Sequence, residues 1–180
     1  PCHRPRPEQP RRISFRGTCV EVIELGVLNW IQANCRTEFL DAVMPVISAL
    51  CAHGEIWILL AVILLMIKRH RRTGIVLMLA LVLDVLSCNG IIKPLVARVR
   101  PCDVNEAVVL LVSRPTDWSF PSGHTAASFA AVGALLAERS ALIKPAFVLA
   151  VLIAFSRLYL YVHWPSDVLA GWCIGALWAW

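Results

Sequence analysis

An all-α fold, a polytopic membrane helical bundle, is the class this sequence predicts, and three observations predict it. Hydrophobic residues make up 58% of the 180-residue chain. Charged residues make up only 16%, and the mean hydropathy is +0.69. A soluble domain of this length would be far more polar. The apolar residues also fall in separate runs with short basic segments between them, which is how sequence orients a protein in a bilayer. About six transmembrane helices are expected, preceded by an N-terminal amphipathic segment.

Residues 1–17 are rich in Pro and Arg and carry neither apolar periodicity nor the apolar core of a signal peptide. A disordered basic lead-in is expected there, with residues 18–180 forming one membrane-embedded domain. Over 18–35 the apolar residues Val20, Ile23, Val27, Trp30 and Ile31 recur at helical spacing, with Glu21, Glu24, Asn29 and Gln32 between them. That pattern suits a helix lying in the membrane interface better than one crossing it.

Residues 39–53 are apolar but short and carry Asp41 and Pro45. Residues 56–67 are nearly pure aliphatic and end in the basic block Lys68, Arg69, His70, Arg71, Arg72. A spanning helix of ordinary length follows over 74–92, ended or kinked around Pro94. The connection 94–121 holds Pro101, Pro115 and Pro121 with several charges. Two more apolar helices are expected over 124–137 and 142–162. A last helix runs from 166 to the chain end. Its roughly 15 residues rise only about 22 Å, short of the ~30 Å hydrocarbon core. The chain begins at Pro1 rather than Met and stops inside this apolar run at Trp180. Trimming at one or both ends is therefore expected. The tryptophans, among them Trp30, Trp118, Trp164 and Trp180, are expected to anchor at the interface.

The basic block 68–72 and the loop 138–144 share one side, which the positive-inside rule makes cytoplasmic. The segment ends near Lys93, Ser122 and His163 then share the other, extracytoplasmic side. Three polar clusters far apart in sequence thus converge on one face.

The first cluster holds Lys93 and Arg100, seven residues apart, so a continuing helix would put both on one face. Cations on the extracytoplasmic face run against the usual bias, and an anion between them would explain their place. In the second, Ser122 is a good helix N-cap, Gly123 lets a ligand approach the backbone, and the following N–H groups form an anion site beside His124. In the third, Arg157, His163 and Asp167 close a strongly apolar run. Pro165 suits the first turn of a new helix, and Asp167 falls in that turn four residues beyond His163. A carboxylate so placed can accept a hydrogen bond from one imidazole nitrogen, leaving the other free to act. Taken separately, each cluster also has a bland reading as a cap, a snorkelling cation or a loop histidine.

Three cations, a helix N-terminus, two histidines and one carboxylate suit phosphoryl transfer without a metal. Cations and N–H groups hold the phosphoryl oxygens, one histidine attacks phosphorus, and the other protonates the leaving oxygen. No carboxylate cluster for Mg²⁺ and no histidine pair with zinc spacing accompanies them, so neither metal nor cofactor is expected. The seven cysteines lack CxxC spacing, and no disulfide framework is read from them. The net charge of +5 is not interleaved with aromatics on a polar surface, so nucleic acid is not an expected partner.

In this order the motifs read K-x6-R-P (Lys93, Arg100, Pro101), P-S-G-H (121–124) and S-R-x5-H-x3-D (156–167). The chain resembles the type-2 phosphatidic acid phosphatase family over roughly 37–180, and every fixed motif position matches. The resemblance implies a membrane-embedded phosphatase domain that hydrolyses a lipid phosphate through a phosphohistidine. It assigns His163 as nucleophile, Asp167 as its orienter and His124 as general acid. Lys93, Arg100, Ser122, Gly123 and Arg157 become the phosphate cradle. The chain departs from the family at its amino end, where a full first spanning helix is not obvious. It is similar to short bacterial members that act on undecaprenyl diphosphate, which implies the bacterial plasma membrane and the extracytoplasmic face. Phosphatidylglycerophosphate or phosphatidate hydrolysis, a haloperoxidase and a non-catalytic lipid-binding protein are the alternatives. The expected partners are a lipid phosphate substrate and membrane lipids, with a homodimer left open.

Overall fold

Thr18 opens the first helix with a reciprocal cap. Its hydroxyl accepts from the Glu21 N–H at 3.4 Å, and Glu21 Oε2 accepts from the Thr18 N–H at 2.9 Å. The computed structural model describes residues 18–178, so the basic lead-in expected over 1–17 lies outside the described residues, as does Trp180. Helix α1 (Cys19–Asn34) leaves Val20, Ile23, Val27 and Trp30 exposed and turns Glu24, Leu28 and Ile31 inward. Ile31 therefore departs from the expected apolar face. It packs with Met44, Tyr159 and Leu160, because the bundle itself buries one side of α1.

Helix α2 (Glu38–Ala49) is capped by Thr37 and tolerates Pro45 in its interior. Helix α3 (Glu55–Met66) follows Gly54, which sits at φ +82°, a left-handed conformation that favours glycine. The basic block is not a loop. Lys68–His70 form a 3₁₀ turn, and Arg71 starts α4 (Arg71–Val85).

Helix α4 runs on without a break through a π-helical stretch, Leu86–Ile92, into α5 (Lys93–Val96). Pro94 does not end the helix: it follows directly on the π-helical stretch, a local adjustment of the kind that accommodates proline within membrane helices. The end comes at Ala97, at φ +46°. Arg100 therefore lies beyond the helix that carries Lys93, and the shared helical face expected of this pair does not exist.

A short helix α6 (Pro101–Val104) begins the long connection to α7 (Gly123–Ala137), and α8 (Ile143–Tyr159) and α9 (Pro165–Leu177) complete the bundle. Among the described residues one stretch, Lys68–Val104, holds helix long and apolar enough to cross a membrane, while α3 and α7 are apolar but shorter. Helices occupy the apolar runs of the sequence, but most are shorter than a full span. Their ends give way to the non-helical segments that build the site, as at Leu160–Trp164 after α8.

Helix α7 is the axis. Ala126, Ala130, Ala131 and Ala134 are buried among α3, α4, α8 and α9. Small residues let these helices approach closely, the usual device where lipid removes the hydrophobic drive between helices. The limit is reached against α9. A Cβ on Gly171 would lie 2.6 Å from the Ser122 carbonyl oxygen, and one on Gly175 would lie 2.2 Å from that of Ala126. Only glycine permits this contact, and the contact sets the motif at the start of α7 against the motif at the start of α9.

Candidate active site

The three clusters meet at one cavity of about 870 Å³, within the range of small-molecule sites. Lys93, Arg100, Gly123, His124, Arg157 and His163 line it. Ser122 and Asp167 sit behind this lining and are both fully buried.

Arg100 is the hub. Its Nη1 donates to the Val162 carbonyl at 2.6 Å and lies 3.2 Å from His163 Nε2. A guanidinium can only donate, so Nε2 must be the unprotonated nitrogen and Nδ1 carries the proton. Nδ1 faces Asp167 Oδ2 at 3.5 Å and has no hydrogen-bond partner among the described residues. The bond expected between this carboxylate and the imidazole is therefore longer than a hydrogen bond here. Asp167 is already engaged: Oδ2 accepts from the Trp164 N–H at 2.9 Å and from the Ser119 hydroxyl, and Oδ1 accepts from Arg98 at 2.7 Å.

Ser122 is the N-cap residue of α7, but its hydroxyl does not cap. It accepts from the Thr125 hydroxyl at 3.0 Å, and the Ser122 N–H donates to the Asp167 carbonyl at 3.0 Å. At Gly123 an added Cβ would meet Asn89 Oδ1 at 3.5 Å, an ordinary contact. Protein packing thus does not demand glycine there, and the space beside its backbone belongs to the cavity. Arg157 is buried, donates from Nη1 to the Ser48 hydroxyl, and leaves Nε without a partner among the described residues.

Burial and the nearby positive charges of Arg100, Arg157 and Lys93 hold the His163 imidazole well below its ordinary value of 6.5. Burial raises the Asp117 carboxyl, but Lys93 and Arg100 outweigh it and hold the group at about 2.

Several partners were not singled out from sequence. Asp117 bridges Lys93 and Arg100. Arg98, inside the first motif, joins Asp167 to Glu24 of α1, with its second nitrogen 2.6 Å from Glu24 Oε2. Glu24 also accepts from the Ser166 N–H at 2.7 Å. The available signal was charge in an apolar chain, which Arg98, Asp117 and Glu24 all carry. Trp164 corrects an expectation: it is buried, not interfacial, and its indole donates to the Val99 carbonyl at 2.8 Å beneath the Arg98 guanidinium. His53 lines the cavity with an exposed ring paired to Glu55 at 2.8 Å.

Fold and site together define an all-helical membrane protein with a cation-lined cavity, His53, His124 and His163 at its wall and a buried carboxylate behind His163. Within that class, the PAP2 superfamily model matches residues 73–180, and the chain belongs to this superfamily. It is similar to an undecaprenyl-diphosphatase of Sulfolobus acidocaldarius, 38% identical over 122 residues, which are 67% of this chain and 59% of that one. It is 42% identical over 86 residues to a decaprenylphosphoryl-5-phosphoribose phosphatase of Mycobacterium tuberculosis, 48% of this chain and 46% of that one. The chain thus spans about half the length of these curated relatives. The crystal structure of a transmembrane PAP2-type phosphatidylglycerolphosphate phosphatase from Bacillus subtilis superposes with a TM-score of 0.74 at 26% identity, covering 91% of this chain and 84% of that one.

Proposed function

We propose that this chain is a metal-independent lipid phosphatase that acts on a phosphate or diphosphate lipid, with undecaprenyl diphosphate the preferred substrate. The observation that carries the reading is the convergence of Lys93, Arg100, Arg157, His124 and His163 on one cavity. His163 Nε2 bears the lone pair and attacks phosphorus. The bond from phosphorus to the leaving oxygen breaks, and His124 gives that oxygen a proton. Water then attacks the phosphohistidine and gives its proton to His124, releasing inorganic phosphate and restoring His163. Asp167 orients the Nδ1–H side of the imidazole. Lys93, Arg100, Arg157 and the N–H groups after Ser122 and Gly123 hold the phosphoryl oxygens as charge shifts onto them. The site faces the extracytoplasmic side of a bacterial plasma membrane, and the exposed apolar face of α1 lies in the interface.

Phosphatidylglycerophosphate is the second candidate substrate, favoured by the likeness to the Bacillus subtilis structure across 91% of this chain. The test is phosphate release by the detergent-solubilised full chain across a panel of prenyl and glycerolipid phosphates, with and without EDTA and vanadate. The reading expects turnover that EDTA leaves intact and that vanadate, a mimic of the phosphoryl transition state, inhibits competitively. Release of no phosphate from any lipid, or activity lost to EDTA and restored by Mg²⁺, would overturn it.

A further inference from the structure

We propose that Asp117 is a resident anion of the phosphate cradle, a carboxylate that the incoming phosphoryl group displaces and that returns to expel phosphate. This rests on the cavity being the phosphate site proposed above. The Asp117 carboxylate gives one oxygen to each cation: Oδ2 to Lys93 Nζ and Oδ1 to Arg100 Nη2 at 2.6 Å. Two cations spanned by two oxygens of one anion is the arrangement a phosphoryl group would make with the same pair.

Exposure decides which partner moves. The Lys93 and Arg100 side chains are 11% and 3% exposed, whereas that of Asp117 is 52% exposed. The cations are fixed by the bundle, and the carboxylate has solvent to enter. Arg100 Nε also holds the Asp117 carbonyl at 2.9 Å, so the backbone can stay in place while the side chain swings away. Arg157 is bonded to Ser48 but pairs with no carboxylate among the described residues. Its buried Nε has no partner among the described residues, and the residue lines the same cavity. A phosphoryl group can therefore land on Arg157 first and then compete for the other two cations.

A phosphate dianion and the Asp117 carboxylate cannot share Lys93 and Arg100 without strong like-charge repulsion. Asp117 thus lowers the affinity of the cradle for any phosphate by the fraction of time it occupies the site. Occupancy of about nine-tenths weakens binding about tenfold. Inorganic phosphate, held by no lipid chain, is the ligand this penalises most in practice. The carboxylate thereby speeds product release and keeps the empty cationic site from collecting stray anions.

The experiment is calorimetric titration of inorganic phosphate into the solubilised full chain, wild type against Asp117→Asn and Asp117→Glu. Asn keeps the size and removes the charge, while Glu keeps the charge. Asp117→Asn should bind phosphate about tenfold more tightly, with Asp117→Glu near wild type. Asp117→Ser, expected to shift in the same direction, serves if the Asn variant does not fold. Phosphate binding that is unchanged or weaker in the charge-free variants would overturn the proposal, since an anion that merely aligned Lys93 and Arg100 would leave the site poorer when removed. Binding is read without turnover, so the result for Asp117 is independent of lipid hydrolysis. If wild type hydrolyses no lipid yet the variants bind phosphate more tightly, the phosphatase reading fails and the resident anion survives.

Discussion

Arg98 and Asp167 form an ion pair at 2.7 Å, and through it the N-terminal helix reaches the carboxylate behind His163. Arg98 donates onward to Glu24 at 2.6 Å, and Glu24 in turn accepts from the Ser166 N–H at the start of α9. The same helix leaves Val20, Ile23, Val27 and Trp30 exposed, so the element that carries these apolar side chains is anchored to the site.

Arg98→Ala strips Asp167, which is wholly buried, of the guanidinium that pairs with it. Breaking a buried pair from one side costs about 3–5 kcal/mol, because the remaining charge is left uncompensated. Thermal melting of the solubilised variant should show that loss. Glu24→Gln should lose less, since Arg98 keeps Asp167. Equal stabilities of wild type and Arg98→Ala would mean the pair is idle.

The two histidines should separate by leaving group. A nucleophile is needed for every substrate, so His163→Ala should abolish hydrolysis of lipid phosphates and of p-nitrophenyl phosphate alike. A general acid contributes about 10²–10⁴-fold and matters less as the leaving group improves. His124→Ala should therefore lose far more kcat/KM on a lipid monophosphate than on p-nitrophenyl phosphate, with a diphosphate lipid between them. Equal losses on all three substrates would remove the support for divided roles.

The depressed His163 group makes stability depend on pH in a definite direction. Folded, the imidazole stays neutral below its ordinary value of 6.5, whereas the unfolded chain takes up a proton there. Its contribution is present above 6.5 and is lost as pH falls. His163→Asn removes the group from both states. Between about pH 7.5 and about pH 5.5 the wild-type Tm should fall relative to that of the variant. A constant difference would contradict the burial and charge effects described.

Orientation is testable by labelling in intact cells. A cysteine at Asp103 should react with a membrane-impermeant thiol reagent, while one at Arg71 should not. The reverse pattern would place the cavity on the cytoplasmic side.

What the sequence by itself determined is the class and the cavity wall. Charges and histidines are costly in an apolar chain, so Lys93, Arg100, His124, Arg157 and His163 stand out wherever they occur, and their motif spacing made them legible together. Helix positions followed from apolar runs, since that periodicity is a local property of the chain. What only the tertiary structure decided is who partners whom. Ser48 reaches Arg157 across 109 positions, Glu24 reaches Arg98 across 74, and Ser119 reaches Asp167 across 48. The burial of Trp164, the break between Lys93 and Arg100, and the bridge made by Asp117 belong to the same category. A polar side chain takes its partner from whatever the closed bundle brings within about 3 Å, and closure depends on glycine contacts such as Gly171 against Ser122 rather than on any local period.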